Sequence, residues 1–222
     1  KLLFRKGISY CQVGNFKSAI ESYEEGYKVM KLLENNNNNN QIELNFQSVE
    51  NDIQKLRQLH ESSEYKALGD KLFGEKNLTE ALIQYNKAIE IIPQYISCIS
   101  NRSACKIALN DFNSCIIDCS LILELLDLTN STLLSQQNGQ KMIATIGKDS
   151  LNMLTAIIPP VGSDKRKEWY LKTLVRRGVA YVQLEKYDEA IVDYNLACSL
   201  DPTNVTLKND LANLTNHRSK VV

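Results

Sequence analysis

The sequence predicts an all-α chain of antiparallel helix pairs stacked into a helix-turn-helix solenoid. Two observations carry this. The stretch Lys172–Pro202, KTLVRRGVAYVQLEKYDEAIVDYNLACSLDP, reads as two short helices with small residues where they must touch. Gly178 and Ala190 let the backbones approach, Ala197 continues that face, and Tyr181 and Tyr194 fill the space between. Asp201-Pro202 ends the second helix, because proline lacks an N–H and disfavours helix in the residue before it. The second observation is recurrence. Tyr65, Leu68, Gly69, Leu72, Ala81, Tyr85, Ala88 and Pro93 keep the same spacings. Leu3, Lys6, Gly7, Tyr10, Ala19, Tyr23 and Gly26 keep them too, with Lys31 in place of the proline. A weaker copy, Ile99–Asp127, follows the Gly69 copy at a distance of 34 residues.

Taken in order, residues 1–33 form one helix pair that turns at Gly14-Asn15, with Ala19 facing Gly7. The run Asn35–Asn40 cannot bury apolar surface and reads as a disordered surface loop. From Ile42 to His60, the residues Ile42, Phe46, Val49, Ile53, Leu56 and Leu59 recur every three or four positions, the pattern of an amphipathic helix. Such a helix would cover the open end of the first pair. Ser62 and Ser63 are candidate N-caps of a fresh helix, with one continuous helix through Leu72 as the alternative.

The next pair joins Ser62–Glu75 to Leu78–Ile91 through Lys76-Asn77, and the one after joins Tyr95–Leu109 to Phe112–Leu128 through Asn110-Asp111. In that pair Cys115, Cys119 and Ile122 stand where alanine, tyrosine and alanine are usual. The third copy then starts near Leu171 instead of near residue 130, which marks an insertion. Within it Ile143, Ile146, Gly147, Leu151, Leu154, Ile157 and Ile158 lie on one helical face. Pro159-Pro160 stops that helix and Gly162-Ser163-Asp164 loops to the next. The insertion is either an embellishment on the convex side or an element that binds a partner. Leu207, Leu211 and Leu214 mark a closing helix.

Twenty-six basic and 26 acidic residues cancel, so no global field recruits nucleic acid or a membrane surface. No apolar run is long enough to span a bilayer. The opening KLLFRKG lacks an initiator methionine and a leader pattern and begins inside a repeat, so a fragment of a longer, cytoplasmic protein is expected. None of the six cysteines forms a CxxC pair, and they read as small apolar residues in helix interfaces of a reducing compartment. No metal and no cofactor are expected. No phosphate loop, nucleophile–histidine pair or catalytic carboxylate pair is present. Asp118 with Glu124, and Glu185 with Asp188 and Glu189, read as solvated helix faces. The chain reads as a binding module, not an enzyme.

The period and its fixed glycine, alanine, aromatic and proline offsets resemble the tetratricopeptide repeat (TPR). The resemblance implies a right-handed superhelix whose groove is lined by the first helix of each pair. It also implies two units: residues 1–60 as the last repeat and capping helix of an upstream repeat domain, with the asparagine loop at 35–40, and residues 61–220 as a complete three-repeat domain with a helical insertion at about 131–164. On the first helices of that domain lie Lys66 and Asp70, Asn101, and Lys172 with Arg176. They resemble the carboxylate clamp of TPR co-chaperones that bind Hsp70 and Hsp90, which reads Lys-x-x-x-Asn, Asn-Arg-Ala and Lys-x-x-x-Arg. Lys66, Asn101, Lys172 and Arg176 match, and Asn101-Arg102 reproduces the asparagine–arginine pair. Asp70 departs, since an ionised aspartate only accepts where asparagine donates.

The clamp resemblance implies an acidic C-terminal peptide as partner, held by charge-assisted hydrogen bonds with Phe73 and Ala104 as apolar walls. Affinity is expected around the micromolar range, roughly 8 kcal/mol. Lys1 and Arg5 fall where Lys172 and Arg176 fall in the last copy and read as the remnant of an upstream clamp.

Residues 64–215 look most like the repeat domain of the dyslexia-susceptibility/axonemal-dynein-assembly co-chaperone family. The resemblance rests on GDKLF (Gly69–Phe73), SNRSACKIAL (Ser100–Leu109), Pro159-Pro160-Val161 and VRRGVAYVQLEKY (Val175–Tyr187). The sperm-associated antigen 1 and RNA-polymerase-associated protein 3 co-chaperones are similar. A co-chaperone adaptor, acting in assembly of dynein or other large complexes, is the function implied. The alternative is a scaffold of altered peptide specificity that holds a non-chaperone client.

Overall fold

The computed structural model describes residues 2–36, 46–128 and 158–221. Among these residues the regular structure is helical, without strands: α1 (Leu2–Gln12), α2 (Phe16–Asn36), α3 (Phe46–Gly74), α4 (Leu78–Ile91), α5 (Ile96–Ala108), α6 (Phe112–Leu128), α7 (Asp164–Gln183), α8 (Tyr187–Leu200) and α9 (Val205–Val221). Each helix packs on the next, forming the hairpins α1–α2, α3–α4, α5–α6 and α7–α8, with α9 closing on α8. The first helices also meet across hairpins, α3 against α5 and α5 against α7. The asparagine run continues α2 through Asn36, and its remainder lies outside the described residues, as do Lys1 and most of the insertion.

The glycines work as the spacing requires. A Cβ on Gly69 would stand 2.6 Å from the Tyr85 ring, one on Gly7 2.5 Å from Tyr23, and one on Gly178 2.8 Å from Tyr194. Each ring therefore packs against a bare backbone on the facing helix. The weak copy replaces both partners together, with Ser103 and Cys119 at the corresponding positions, both fully buried.

The four hairpin turns share one geometry. Gly14, Lys76, Asn110 and Glu185 all take left-handed backbone, with φ between 57° and 77°. The next amide reaches back to the preceding helix in each: Asn15 to Tyr10, Asn77 to Leu72, Asp111 to Lys106 and Lys186 to Tyr181, all at 2.9 Å. This is the closing bond of a Schellman cap. Left-handed backbone costs a side chain about 1–2 kcal/mol, and glycine's freedom when unfolded returns roughly 0.5–1. Glu185→Gly is therefore expected to stabilise the chain by about 0.5–1 kcal/mol, read as a higher urea midpoint at unchanged slope.

Helix α3 settles the alternative left open by Ser62 and Ser63, because it runs unbroken from Phe46 to Gly74. Neither serine caps a helix. The buried Ser62 hydroxyl donates to the Ala88 carbonyl at 2.7 Å, and Ser63 to the His60 carbonyl at 2.6 Å. The expected division between residues 60 and 61 falls inside this helix. One core cluster joins Cys11, Phe16 and Ala19 to Leu56, Leu59, Tyr85, Tyr95 and Cys98, with Phe16 edge-on to Tyr95. The last pair also starts earlier than Leu171. Helix α7 begins at Asp164, because the Ser163 side chain caps it by accepting from the Arg166 amide.

Candidate functional site

The candidate groove residues come from three hairpins. Lys66 and Asp70 lie on α3, Asn101 on α5, and Lys172 and Arg176 on α7. Lys66, Asn101 and Lys172 line one cleft of about 100 Å³, together with Ser97, Ser100, Glu168 and Trp169. A wider cleft of about 610 Å³ lies alongside, sharing Glu168 and Lys172 and walled by Leu171, Val175, Arg176, Val179 and Leu207. Cations and an amide widely separated in sequence thus converge. Phe73 and Ala104 line neither cleft: both are half-buried, and Phe73 packs against the first core cluster. Arg5 is exposed on α1, and Lys1 lies outside the described residues.

Asp70 does not itself line the small cleft but is bonded to two residues that do. Its carboxylate accepts from Lys66 Nζ at 2.6 Å, from Asn101 Nδ2 at 2.7 Å and from the Tyr85 hydroxyl at 2.9 Å. Burial, reinforced by the bond to Asp70, pushes the Tyr85 phenol well above its usual range, so it stays a donor at neutral pH. Lys172 is exposed and has no hydrogen bond or ion pair among the described residues. Arg176 turns one nitrogen inward. Its Nη1 donates to the Ser100 carbonyl at 2.7 Å, the Ser103 hydroxyl at 2.9 Å and the Ser100 hydroxyl at 3.2 Å. Burial lowers the pKa of this guanidinium from the usual arginine value.

Arg102, which completes the asparagine–arginine pair, does not face this cleft. It makes a fork to Asp118, with Nε at 2.9 Å and Nη2 at 2.5 Å, and Lys106 adds its ammonium at 2.8 Å. Asp118 is therefore not part of a solvated face: it is 1% exposed. Glu124, Glu185, Asp188 and Glu189 are exposed, as expected. Arg177 makes the same fork to the buried Asp193, at 2.8 and 2.7 Å, and its Nη1 also donates to Ser120. Both arginine–aspartate pairs were missed from sequence. Their signal was present, because each has the separation of the glycine–tyrosine pairs, displaced by one residue.

Five of the six cysteines are buried and all are free thiols. Burial pushes Cys11 up to about 11 and Cys98 up to about 12, so both remain protonated in helix interfaces. Among the described residues no three or more histidine, cysteine or acidic side chains are grouped to hold a metal ion. No helix there is long and apolar enough to cross a membrane.

Residues 171–204 match the tetratricopeptide repeat. Hairpins α1–α2 and α3–α4 repeat this segment's glycine–tyrosine contact, and all three other hairpins repeat its turn geometry. The chain is a tetratricopeptide-repeat solenoid. Among curated proteins this solenoid is similar to dynein axonemal assembly factor 4 of Rattus norvegicus, at 30% identity over 151 residues, 68% of the chain and 28% of the relative. The Pongo pygmaeus protein of the same name is 29% identical over 173 residues, 76% of the chain and 33% of the relative. The solenoid thus spans about a third or less of these relatives. Among solved structures, the first TPR of Spaghetti (RPAP3) bound to the HSP90 peptide SRMEEVD superposes with TM-score 0.48 at 22% identity, covering 71% of this chain and 93% of that one. The first TPR domain of human RPAP3 gives 0.49 at 23% identity, covering 73% and 95%.

Proposed function

We propose that this solenoid is a cytoplasmic co-chaperone adaptor whose groove holds an acidic peptide, the C-terminal tail of Hsp90 or Hsp70 being the occupant its clamp motif implies. The supporting observation is the convergence of Lys66, Asn101 and Lys172, from three hairpins, on one cleft beside a larger apolar one. An anionic segment would meet the Lys172 ammonium, unpaired among the described residues, and an apolar neighbour would enter the wall formed by Leu171, Val175 and Leu207. The likeness to dynein axonemal assembly factor 4 supports a role in assembling dynein or other large complexes. In this reading residues 61–220 form the peptide-binding unit, and residues 1–60, carrying Lys1 and Arg5, belong to an adjoining repeat unit. A second reading, a scaffold for a non-chaperone client, is favoured by the engagement of Asp70 with Lys66 and Asn101.

The peptide SRMEEVD is a direct probe. Calorimetric titration is expected to give a dissociation constant around the micromolar range. Lys172→Ala should weaken it about tenfold, because an ion pair and its charge-assisted hydrogen bond are lost. Raising salt from low to physiological strength should weaken it too, since exposed charges are screened beyond about 8 Å. Binding unaffected by both Lys172→Ala and salt would exclude the cationic groove and leave the scaffold reading.

A further inference from the structure

A carboxylate already engages two residues that line the small cleft. Asp70 accepts from the Lys66 ammonium and the Asn101 amide, both in the cleft wall, and from the Tyr85 hydroxyl, all within 2.9 Å. A carboxylate has about four acceptor positions, so three donors nearly saturate it. A second carboxylate entering here would face Asp70's like charge. It would also have to strip Lys66 from an ion pair 2.6 Å long whose lysine side chain is only 19% exposed. Glu168 lines the same cleft and Asp70 pairs with Lys66, so two acids accompany its two lysines. Arg176 cannot compensate from its Nη1, which faces Ser100 and Ser103.

What remains open lies further along α7. Lys172 is exposed and unpartnered among the described residues, and the wider cleft beside it has apolar walls from Leu171, Val175, Val179 and Leu207. That combination reads side chains, one acidic and one apolar. It contains nothing that distinguishes the end of a chain from its middle.

We propose that Asp70 is a built-in carboxylate that occupies the chain-end position of the groove, so that this solenoid recognises an acidic–apolar segment wherever it lies in a partner, without needing a free C terminus. The proposal rests on the groove being a peptide site and specifies the class of peptide. Asp70 is a specificity-determining residue in it: asparagine in its place would keep an acceptor for Tyr85 and present an amide donor to the ligand.

The experiment compares three forms of one probe: SRMEEVD as free acid, as C-terminal amide, and extended by several glycines. Each is titrated into the wild-type chain, Asp70→Asn and Asp70→Ala, with thermal melting as the control for folding. The wild type is expected to bind all three within about threefold. Asp70→Asn is expected to bind the free acid at least tenfold more tightly than the amide, with a native-like melt. Asp70→Ala, which removes the internal charge without adding a donor, should gain for the free acid by a smaller factor. A wild-type preference of tenfold or more for the free acid would overturn the role of Asp70 while leaving the peptide groove intact. So would an Asp70→Asn variant that still ignores the chain end. Failure of every form to bind to any of the folded proteins would overturn both readings.

Discussion

Asp118→Ala is expected to lower the unfolding free energy by about 3–5 kcal/mol, one of the two largest losses from a single substitution here. Asp118 is 1% exposed and lies between Arg102 and Lys106, whose side chains are 17% and 11% exposed. Removing the acid leaves two largely buried cations without their shared counter-charge. That penalty exceeds the net value of the bridge itself, because a pair replaced whole by apolar groups can be neutral. The distinction can be measured: the triple change Asp118→Leu, Arg102→Met, Lys106→Met should recover much of the loss in a urea titration. Equal destabilisation by the single and triple changes would show that the pairing itself, not the stranded charge, sets the energy.

Tyr85→Ala is expected to cost a similar amount, about 3–5 kcal/mol, since the ring is 1% exposed and packs against Gly69. The sharper result is the coupling. In the wild type Gly69→Ala should cost about 1–3 kcal/mol, because its Cβ would lie 2.6 Å from a ring carbon held by packing. In the Tyr85→Ala background the obstacle is gone, and alanine's higher helix propensity should make the same change neutral or stabilising by up to about 1 kcal/mol. A double-mutant cycle reads the difference directly, and additive losses would show that the two residues do not share one contact.

The hairpins were legible because their signal is local and repeated. Gly7, Gly69 and Gly178 each precede a tyrosine by the same interval; the sequence pointed to Ala19 and Ala190 as the residues facing Gly7 and Gly178, and the structure puts the tyrosine ring nearest each glycine. The convergence of Lys66, Asn101 and Lys172 follows from the stacking of the first helices, since the three stand at different offsets before Gly69, Ser103 and Gly178. Buried charge went unread although its signal was there: Asp118 and Asp193 look like Glu124 or Asp188 in composition, and only the spacing to Arg102 and Arg177 on the facing helix sets them apart. The continuity of α3 escaped because Ser62 and Ser63 are favoured at helix starts, whereas here Ser62 finds its partner in the Ala88 carbonyl of the next helix. The inward turn of Arg176 depends on Ser100 and Ser103, residues that a match to a motif passes over.

The unbroken α3 has a mechanical consequence. At 29 residues and about 1.5 Å per residue it is a shaft on the order of 44 Å long, gripped by α2 near one end and bearing Lys66 and Asp70 near the other. A rod without a joint transmits rotation. A tilt of the first hairpin would be carried along this shaft toward the lysine and aspartate beside Asn101.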